Sequence, residues 1–451
     1  MATQIIAIVI FIVMFVMIVV SKIERQWITL GAALLTIVVV LLLGLKSPGA
    51  AMEVLNLKAF ISGSFWISRD EISESEIGIN WSTVIFILGM MIMVEGMGRS
   101  GFFKWLCLRI GKLVNYKPLP LFVAFMVMSA LLSMFIDSIT VILFLAAVTF
   151  ELGRMLKINP VPMLLAEIFC SNLGGSATMS GDPPNIIIGT GLHLTFGDFI
   201  SNTGVIALVS LVFVIAYFFL VYSKELVAEG HVPVDTAALP KPADAISSKP
   251  GFAVSLLVFL LTVILLITHA KTHLAVPTIG VIAAVLTLAG NLKHAGELIK
   301  KVDYKTLLFF IGLFVVIGGL EEVGVLNVIA HFIEHISKGR NVLMAIIIIW
   351  ISGIASAFLD NIPFAATMLP VIKVLSVTSG VPVTTLAWAL SMGTDIGGSA
   401  TPIGASANVV GISIAGKNGT LIGWKDYCRT GVPATILVLV ISSIMIVLRY
   451  F

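Results

Sequence analysis

The chain has 451 residues, of which 59% are hydrophobic and 11% are charged, with a formal net charge of +3. A soluble globular protein would carry roughly 25% charged residues, so this composition excludes that class. Apolar runs long enough to cross a hydrocarbon core of about 30 Å recur along the sequence, and helices are the spanning structure they favour. The sequence therefore predicts an all-α polytopic membrane protein.

The first predicted crossing, 5–20, has no basic residue before it and no small-residue cleavage site after it, so we expect a retained helix rather than a signal peptide. The other segments of the first half are 27–45, 81–97, a pair 119–152 folded at Asp137, a broken segment 162–195, and 204–222. A polar linker, 223–251, follows and is predicted to be cytoplasmic. The same series then returns as 252–268, 276–289, 306–320, a pair 342–374 folded at Asp360, a broken segment 385–415, and 432–447.

This return is a sequence duplication at a constant offset of 223 residues. Phe-Ile-Asp-Ser-Ile-Thr at 135–140 becomes Phe-Leu-Asp-Asn-Ile-Pro at 358–363. The island GGSATMSGDPPN at 174–185 becomes GGSATPIGASAN at 397–408. Between 133–185 and 356–408, 14 of 53 positions are identical, mainly at polar residues and glycines. We therefore predict two repeats, 1–222 and 252–451. The first has about 26 extra residues between Leu45 and Trp81, an acidic insertion that we predict to be a loop.

Each repeat is predicted to contain five crossings and one hairpin, with scaffold helices in about 1–97 and a hairpin and broken helix in 119–195 or 342–415. An odd number of crossings inverts the second copy. With the N-terminus outside, the cytoplasmic stretches hold 19 of the 27 Lys and Arg residues, which supports this topology. The acidic run Asp70, Glu71, Glu74 and Glu76 would then lie outside.

The first hairpin tip is apolar apart from Asp137, Ser138 and Thr140, whereas a surface turn normally carries glycine, proline or several polar residues. We therefore predict re-entrant hairpins, with a tight turn near the interface as the alternative. Glycines and Pro183-Pro184 break the helix of the first island near the midplane. Asp182 is predicted to cap the half-helix that follows, with Ser406 as its counterpart.

Hairpin tips and broken helices that converge at the midplane form the binding sites of many secondary transporters. Asp137, Asp182, Asp360 and Asp395 lie in or beside the islands, and no Lys or Arg does so along the chain. A charge at the bilayer centre costs at least about 2.5 to 3.5 kcal/mol on insertion scales, so these acids favour cation or proton coupling. For Asp137, Asp360 and Asp182 the alternative is a structural role, in which the carboxylate caps the helix that follows. For Glu167 two roles are open: a proton site, or a neutral side chain that is held by hydrogen bonds.

These tips and islands resemble the ion transporter superfamily, and most closely its ArsB/NhaD permease group and the citrate-transporter-like domain of the melanosomal P protein. The resemblance covers nearly the whole chain and implies an elevator-type secondary transporter, often dimeric. The carboxylate, amide, hydroxyl and carbonyl oxygens of the hairpin tips and broken helices suit Na⁺ or a proton, so we expect a Na⁺ site there, with Asp137 and Asp360. The motif match gives these binding positions: Asp137, Ser138, Thr140, Ser176, Thr178, Asn185, Asp360, Asn361, Ser399, Thr401 and Asn408. The islands add Asn172, Gly174, Gly175, Asp182, Asp395, Gly397 and Gly398.

The leading functional prediction is a secondary active transporter of a small ion or oxyanion, coupled to H⁺ or Na⁺, as a Na⁺/H⁺ antiporter or an arsenite or antimonite exporter. Neither tip shows the Ser-Asn-Thr signature of the dicarboxylate/sodium symporters, so citrate or dicarboxylate transport is an alternative. An anion channel is the alternative from another class. An enzyme is disfavoured because no Ser/His, Cys/His or metal-ligand group accompanies the acids. We expect no cofactor beyond the coupling ion, no nucleic-acid partner, and a homodimer in the cell membrane.

Overall fold

The computed structural model describes residues 2–67, 77–229 and 240–451. Within these ranges the chain is helical apart from turns, loops and one isolated antiparallel bridge between Ile67 and Leu274. Nine of the described helices are long and apolar enough to cross a membrane, or ten if the bent pair Val276–Gly290 and Leu292–Lys300 forms one span. The predicted all-α polytopic class is confirmed. The acidic run 70–76 and the linker residues 230–239 lie outside the described residues.

The helices of the two halves follow the same order along the chain. The first half contains α1 (Ala2–Val20), α2 (Arg25–Leu35, continued by a π-helix Thr36–Gly44), α3 (Pro48–Leu55), α4 (Gly63–Trp66), α5 (Trp81–Ser100), α6 (Phe102–Leu113), α7 (Pro118–Ser133), α8 (Ser138–Leu156), α9 (Val161–Gly175), α10 (Pro183–Gly191), α11 (Phe196–Phe199) and α12 (Val205–Glu229). The second half contains α13 (Lys249–Thr272), α14 (Val276–Gly290), α15 (Ala295–Lys300), α16 (Tyr304–Glu322), α17 (Val325–Ser337), α18 (Asn341–Phe358), α19 (Asn361–Ser379), α20 (Val383–Gly397), α21 (Ser406–Lys417) and α22 (Trp424–Tyr450).

Three local expectations need correction. The insertion after Leu45 is not simply a loop, because it contains α3 and α4. Ser47 caps α3 by accepting a hydrogen bond from the amide of Ala50 at 3.1 Å, and Pro48 occupies its first turn, where a missing N–H costs nothing. Ser406 is the first residue of α21, and Ala405 is the N-cap residue. The short amphipathic helices α6 and α17, one in each repeat, were not among the predicted segments.

Helix packing repeats with the duplication. Helix α5 lies along α14, and its counterpart α16 lies along α2. In the same way α7 packs on α9, and α18 packs on α20. Glycines bring the backbones together in each pair: a Cβ added at Gly174 would lie 2.1 Å from the carbonyl oxygen of Ala130, and one at Gly397 would lie 2.3 Å from that of Gly353. Close backbone approach at small residues is the main way in which membrane helices pack tightly.

We expect Gly397→Ala to destabilise the protein by more than the roughly 1 to 3 kcal/mol of ordinary overpacking, because the new methyl group meets backbone atoms of α18. Gly416→Ala is the matched control, since a Cβ there has nothing within 4 Å. The melting temperature of both variants in detergent measures the difference. Equal melting of the two variants would show that α18 and α20 can separate freely.

Candidate functional site

Each hairpin tip ends on an aspartate that caps the helix that follows it. One carboxylate oxygen of Asp137 accepts from the amide of Thr140 at 3.0 Å, and the other accepts from its hydroxyl at 2.6 Å. Asp360 accepts from the amide of Ile362 at 3.2 Å, and so caps α19. The capping role that the sequence left open is therefore present at both tips.

An asparagine closes each broken helix. The side-chain amide of Asn185 donates to the carbonyl oxygens of Gly175 at 3.2 Å and Thr178 at 3.0 Å. Asn408 does the same for Gly398 and Thr401, both at 2.8 Å. Both asparagines are fully buried, so these bonds satisfy unwound carbonyl groups that water cannot reach.

Each broken helix is also tied to the hairpin of its own repeat. The hydroxyl of Thr178 donates to the carbonyl oxygen of Met134, and that of Thr401 donates to the carbonyl oxygen of Ala357. Met134 and Ala357 are equivalent under the 223-residue offset. The two islands therefore make the same hydrogen bonds to their own hairpins. They differ at the positions described next.

Asp182 is the first of these differences, since its equivalent position is Ala405. It occupies the N-cap position of α10, but its side chain makes no capping bond. One carboxylate oxygen accepts from the hydroxyl of Ser138 at 2.8 Å, and the other accepts from the amide of Asn361 at 3.1 Å. Ser138 belongs to the first tip and Asn361 to the second. Asp182, which is only 3% exposed, therefore joins the two hairpin tips directly.

Helices α9 and α20 carry contacts between the repeats. Asn172 donates its side-chain amide to the hydroxyl of Ser399 at 3.0 Å and to the side-chain oxygen of Asn408 at 2.9 Å. In the opposite direction, the hydroxyl of Ser391 donates to the side-chain oxygen of Asn185 at 2.6 Å. The two islands are thus interlocked through buried polar groups.

Two buried carboxyl groups have unused oxygens. Asp395, the equivalent of Asn172, is fully buried, and neither of its oxygens has a hydrogen-bond partner among the residues that the structure describes. Glu167 accepts from the hydroxyl of Thr149 at 2.6 Å, and its second oxygen has no partner within the same described ranges. The hydrogen-bonded alternative for Glu167 is therefore seen at one of its two oxygens.

The structure brings one cationic side chain to a hairpin tip. This corrects the expectation, based on position along the chain, that no Lys or Arg accompanies the four aspartates. The guanidinium of Arg25, at the start of α2, lies 2.5 Å from a carboxylate oxygen of Asp360. Neighbouring Glu24 is held elsewhere: hydrogen bonds from Lys305 and then Gln26 lower the pKa of its carboxyl. Arg25 is therefore left to pair with Asp360. The two residues are 335 positions apart, and no local pattern in the sequence could have revealed the contact.

The remaining predicted site residues have structural contacts. The hydroxyl of Ser176 donates to the carbonyl oxygen of Leu173 at 2.8 Å, within its own turn. A Cβ at Gly175 would lie 3.2 Å from the Cβ of Asp182, and one at Gly398 would lie 2.9 Å from the carbonyl oxygen of Gly404.

Across the described parts of the chain, no group of three or more His, Cys, Asp and Glu side chains could hold a metal ion. A Na⁺ ion would therefore need hydroxyl, amide or backbone oxygens as well as carboxylates.

Comparison with known proteins shows the family of this chain. Residues 15–393 match the family of citrate transporters, CitMHS. The chain belongs to the CitMHS family. A protein of Mycobacterium tuberculosis named as an uncharacterised transporter is 33% identical to the CitMHS chain over 386 residues, which are 85% of this chain and 90% of that protein. The P protein of Mus musculus is 29% identical over 441 residues, 80% of this chain but 52% of the P protein.

Solved structures show the same fold at low sequence identity. The YdaH transporter of Alcanivorax borkumensis aligns with a TM-score of 0.58 and 13% identity over 88% of each chain. MtrF of Neisseria gonorrhoeae aligns with a TM-score of 0.56 and 12% identity over 98% of each chain. The CitMHS protein is thus an integral membrane transporter, and its predicted resemblance to the ion transporter superfamily and the P protein is confirmed.

Proposed function

We propose that this CitMHS protein is a secondary active transporter of a small ion or oxyanion, coupled to H⁺ or Na⁺ and operating by an elevator-type motion. The contact of Asp182 with both hairpin tips is the observation that supports this most directly. Hydrogen bonds to an ionised carboxylate contribute about 1.5 to 3 kcal/mol each. A proton or Na⁺ on Asp182 weakens its hold on the tips, so cation binding and the arrangement of the tips become linked equilibria.

The charge of the site favours a cation as at least one transported species. Four aspartates lie at the tips and broken helices. Among the described residues, one of the four, Asp360, forms an ion pair, and its partner is Arg25. Na⁺/H⁺ antiport therefore leads. Arsenite or antimonite efflux follows, because the neutral acid forms of these oxyanions can be held by Ser, Thr and Asn side chains without a fixed cation.

Citrate or a dicarboxylate is the second candidate, favoured by the family to which the chain belongs. The first half-helix is a poor anion site, because Pro183 and Pro184 supply no N–H group at the start of α10. The N-terminus of α21 has no proline, so an anion would bind better there. A polyanion would also need protons or cations to neutralise the aspartates. An anion channel is the alternative that does not require coupling.

The orientation and assembly of the transporter are part of the same proposal. The distribution of Lys and Arg supports an N-terminus outside the cell membrane, with the polar linker in the cytoplasm. This orientation would place the two hairpins in the bilayer from opposite faces, with tips that meet near Asp182. The resemblance to elevator transporters supports a homodimer.

Purified protein in proteoliposomes tests the function. The vesicles contain a pH dye, the membrane potential is clamped with K⁺ and valinomycin, and external Na⁺ is added to a preset pH gradient. For an antiporter we expect Na⁺ to collapse the gradient, and Asp137→Asn or Asp360→Asn to abolish the response. Asp244→Asn, an exposed carboxylate in the linker, is the matched control and should respond normally.

A wild-type protein that does not respond to Na⁺ rules out antiport. The same vesicles then receive arsenite, citrate or chloride. Uptake driven by a gradient of a second ion would support one of the other transported species. Chloride flux that follows the membrane potential alone would overturn the transporter and identify a channel.

A further inference from the structure

Asp395 is a buried acid whose surroundings do not explain it. It lies in the last turn of α20, where the helix dipole is negative, and its side chain is fully buried. Neither carboxylate oxygen has a hydrogen-bond partner in the described part of the chain. The carboxylate of Asp182 also acts on it electrostatically. A buried carboxylate without a donor is strongly unfavourable unless it takes up a proton or a counter-charge accompanies it.

The duplicated repeat shows what fills the equivalent place. There the residue is Asn172, whose NH₂ group donates to the hydroxyl oxygen of Ser399 and the side-chain oxygen of Asn408. The positive end of an amide dipole thus lies between oxygen atoms. In the second island, the NH₂ group of Asn172 therefore already meets these two oxygen atoms.

Applied to the first island, the 223-residue offset predicts that Asp395 faces Ser176 and Asn185, the equivalents of Ser399 and Asn408. The side-chain oxygen of Asn185 accepts from Ser391, and the hydroxyl of Ser176 donates to Leu173, so neither offers a donor to Asp395. The side-chain N–H groups of Asn185 donate to the carbonyl oxygens of Gly175 and Thr178, so oxygen atoms are what these two side chains can offer. Such hard oxygen ligands suit an alkali or alkaline-earth cation rather than a transition metal.

We propose that Asp395, with Ser176 and Asn185, binds Na⁺ between the two repeats, and that the amide of Asn172 takes the place of the ion in the second repeat. This site deepens the proposed function, because it places the coupling ion where α9 and α20 meet and not at the tip aspartates. Sodium there neutralises a carboxylate that otherwise repels Asp182. Ion binding would thereby act on the carboxylate that links the tips.

The test measures ²²Na⁺ binding and melting temperature on the purified protein in detergent, with choline replacing Na⁺ at constant ionic strength. We expect Na⁺ to raise the melting temperature of the wild type. Asp395→Asn should reduce Na⁺ affinity at least about tenfold, as loss of a charged ligand does, and should not melt lower than the wild type in choline. Glu167→Gln removes another fully buried carboxyl group and is the matched control, with Na⁺ binding expected to be unchanged.

A second variant combines Asp395→Asn with Asn172→Asp, which exchanges the aspartate and the asparagine between the equivalent positions of the two repeats. We expect it to bind Na⁺ again, now at the second island, and this remains testable if the single variant fails to fold. Absence of Na⁺ binding in the wild type, or equal Na⁺ affinity in Asp395→Asn, overturns the site. These measurements need no transport, so Na⁺ binding without coupled flux refutes the proposed function alone, and coupled flux without Na⁺ binding at Asp395 refutes the site alone.

Discussion

Asp182→Asn is expected to reduce transport by about 100-fold, near the upper end of typical coupling between two sites. The wild-type carboxylate accepts from Ser138 and Asn361 at the same time. An amide at this position has one acceptor oxygen, so its NH₂ group faces the donor of one of the two tips. The unsatisfied donor should cost about 1 to 3 kcal/mol of stability. More importantly, the group that can be neutralised by a proton or a cation is gone.

A paired variant separates stability from transport. Asn361→Asp alone places two carboxylates against each other and should destabilise the contact between the tips. In the double variant Asp182→Asn with Asn361→Asp, one amide and one carboxylate face each other again, with donor and acceptor exchanged. We expect the melting temperature to recover in the double variant, whereas flux stays at least about tenfold below the wild type, because the charge has moved from the broken helix to the hairpin tip.

Flux in the pH-dye assay and melting in detergent are measured on the same preparations. Wild-type flux in Asp182→Asn would show that the carboxylate only joins the tips. Recovery of both flux and stability in the double variant would show that the position of the charge does not matter. Either result would show that the charge of Asp182 does not link ion binding to the arrangement of the tips.

The sequence predicted those parts of the site that lie within one repeat. The islands carry the same glycines, threonine and asparagine at a constant offset, and the structure shows the same bonds from Asn185 and Asn408. Residues close together in sequence must lie close together in space, and duplication doubles the signal. The broken helices were predictable for the same reason, because proline and clustered glycines act on their own backbone.

The contacts between repeats could not be predicted in this way. The position of Asp182 as an N-cap residue was evident, but its bond to Asn361 depends on how the two halves interlock. Arg25 pairs with Asp360 because α2 begins beside the second tip, and hydropathy contains no information on which helix ends meet. Helices α6 and α17 were missed because an amphipathic helix of 12 or 13 residues is shorter than a membrane span. Local patterns thus give elements, whereas the fold decides which polar groups they bring together.

A disulfide between Thr83→Cys and Thr190→Cys is expected to stop transport almost completely. Thr83 belongs to α5, in the predicted scaffold, and Thr190 belongs to α10, the half-helix that carries Asn185. Their hydroxyl oxygens lie 2.9 Å apart, a separation that side-chain rotation can close to an S–S bond of about 2.05 Å. If α10 moves past α5 in each cycle, the covalent bond holds the protein in one state. Flux should fall at least about tenfold after oxidation, because the protein can no longer reach the other state of the transport cycle. Flux should return when a reducing agent is added.

The control is a disulfide that does not cross this boundary. The hydroxyl oxygens of Ser133 and Ser171, on α7 and α9, lie 2.6 Å apart, and both helices belong to the predicted hairpin and broken helix of 119–195. Ser133→Cys with Ser171→Cys should therefore form a bond yet transport within about twofold of the reduced protein, because rigid-body motion leaves internal distances unchanged. Both pairs are made in a Cys428→Ala background, since Cys107 and Cys170 are buried. Unimpaired flux with the α5–α10 bond formed would refute an elevator motion between these helices, whereas a block by both bonds would show that the hairpin and broken helix rearrange internally during transport.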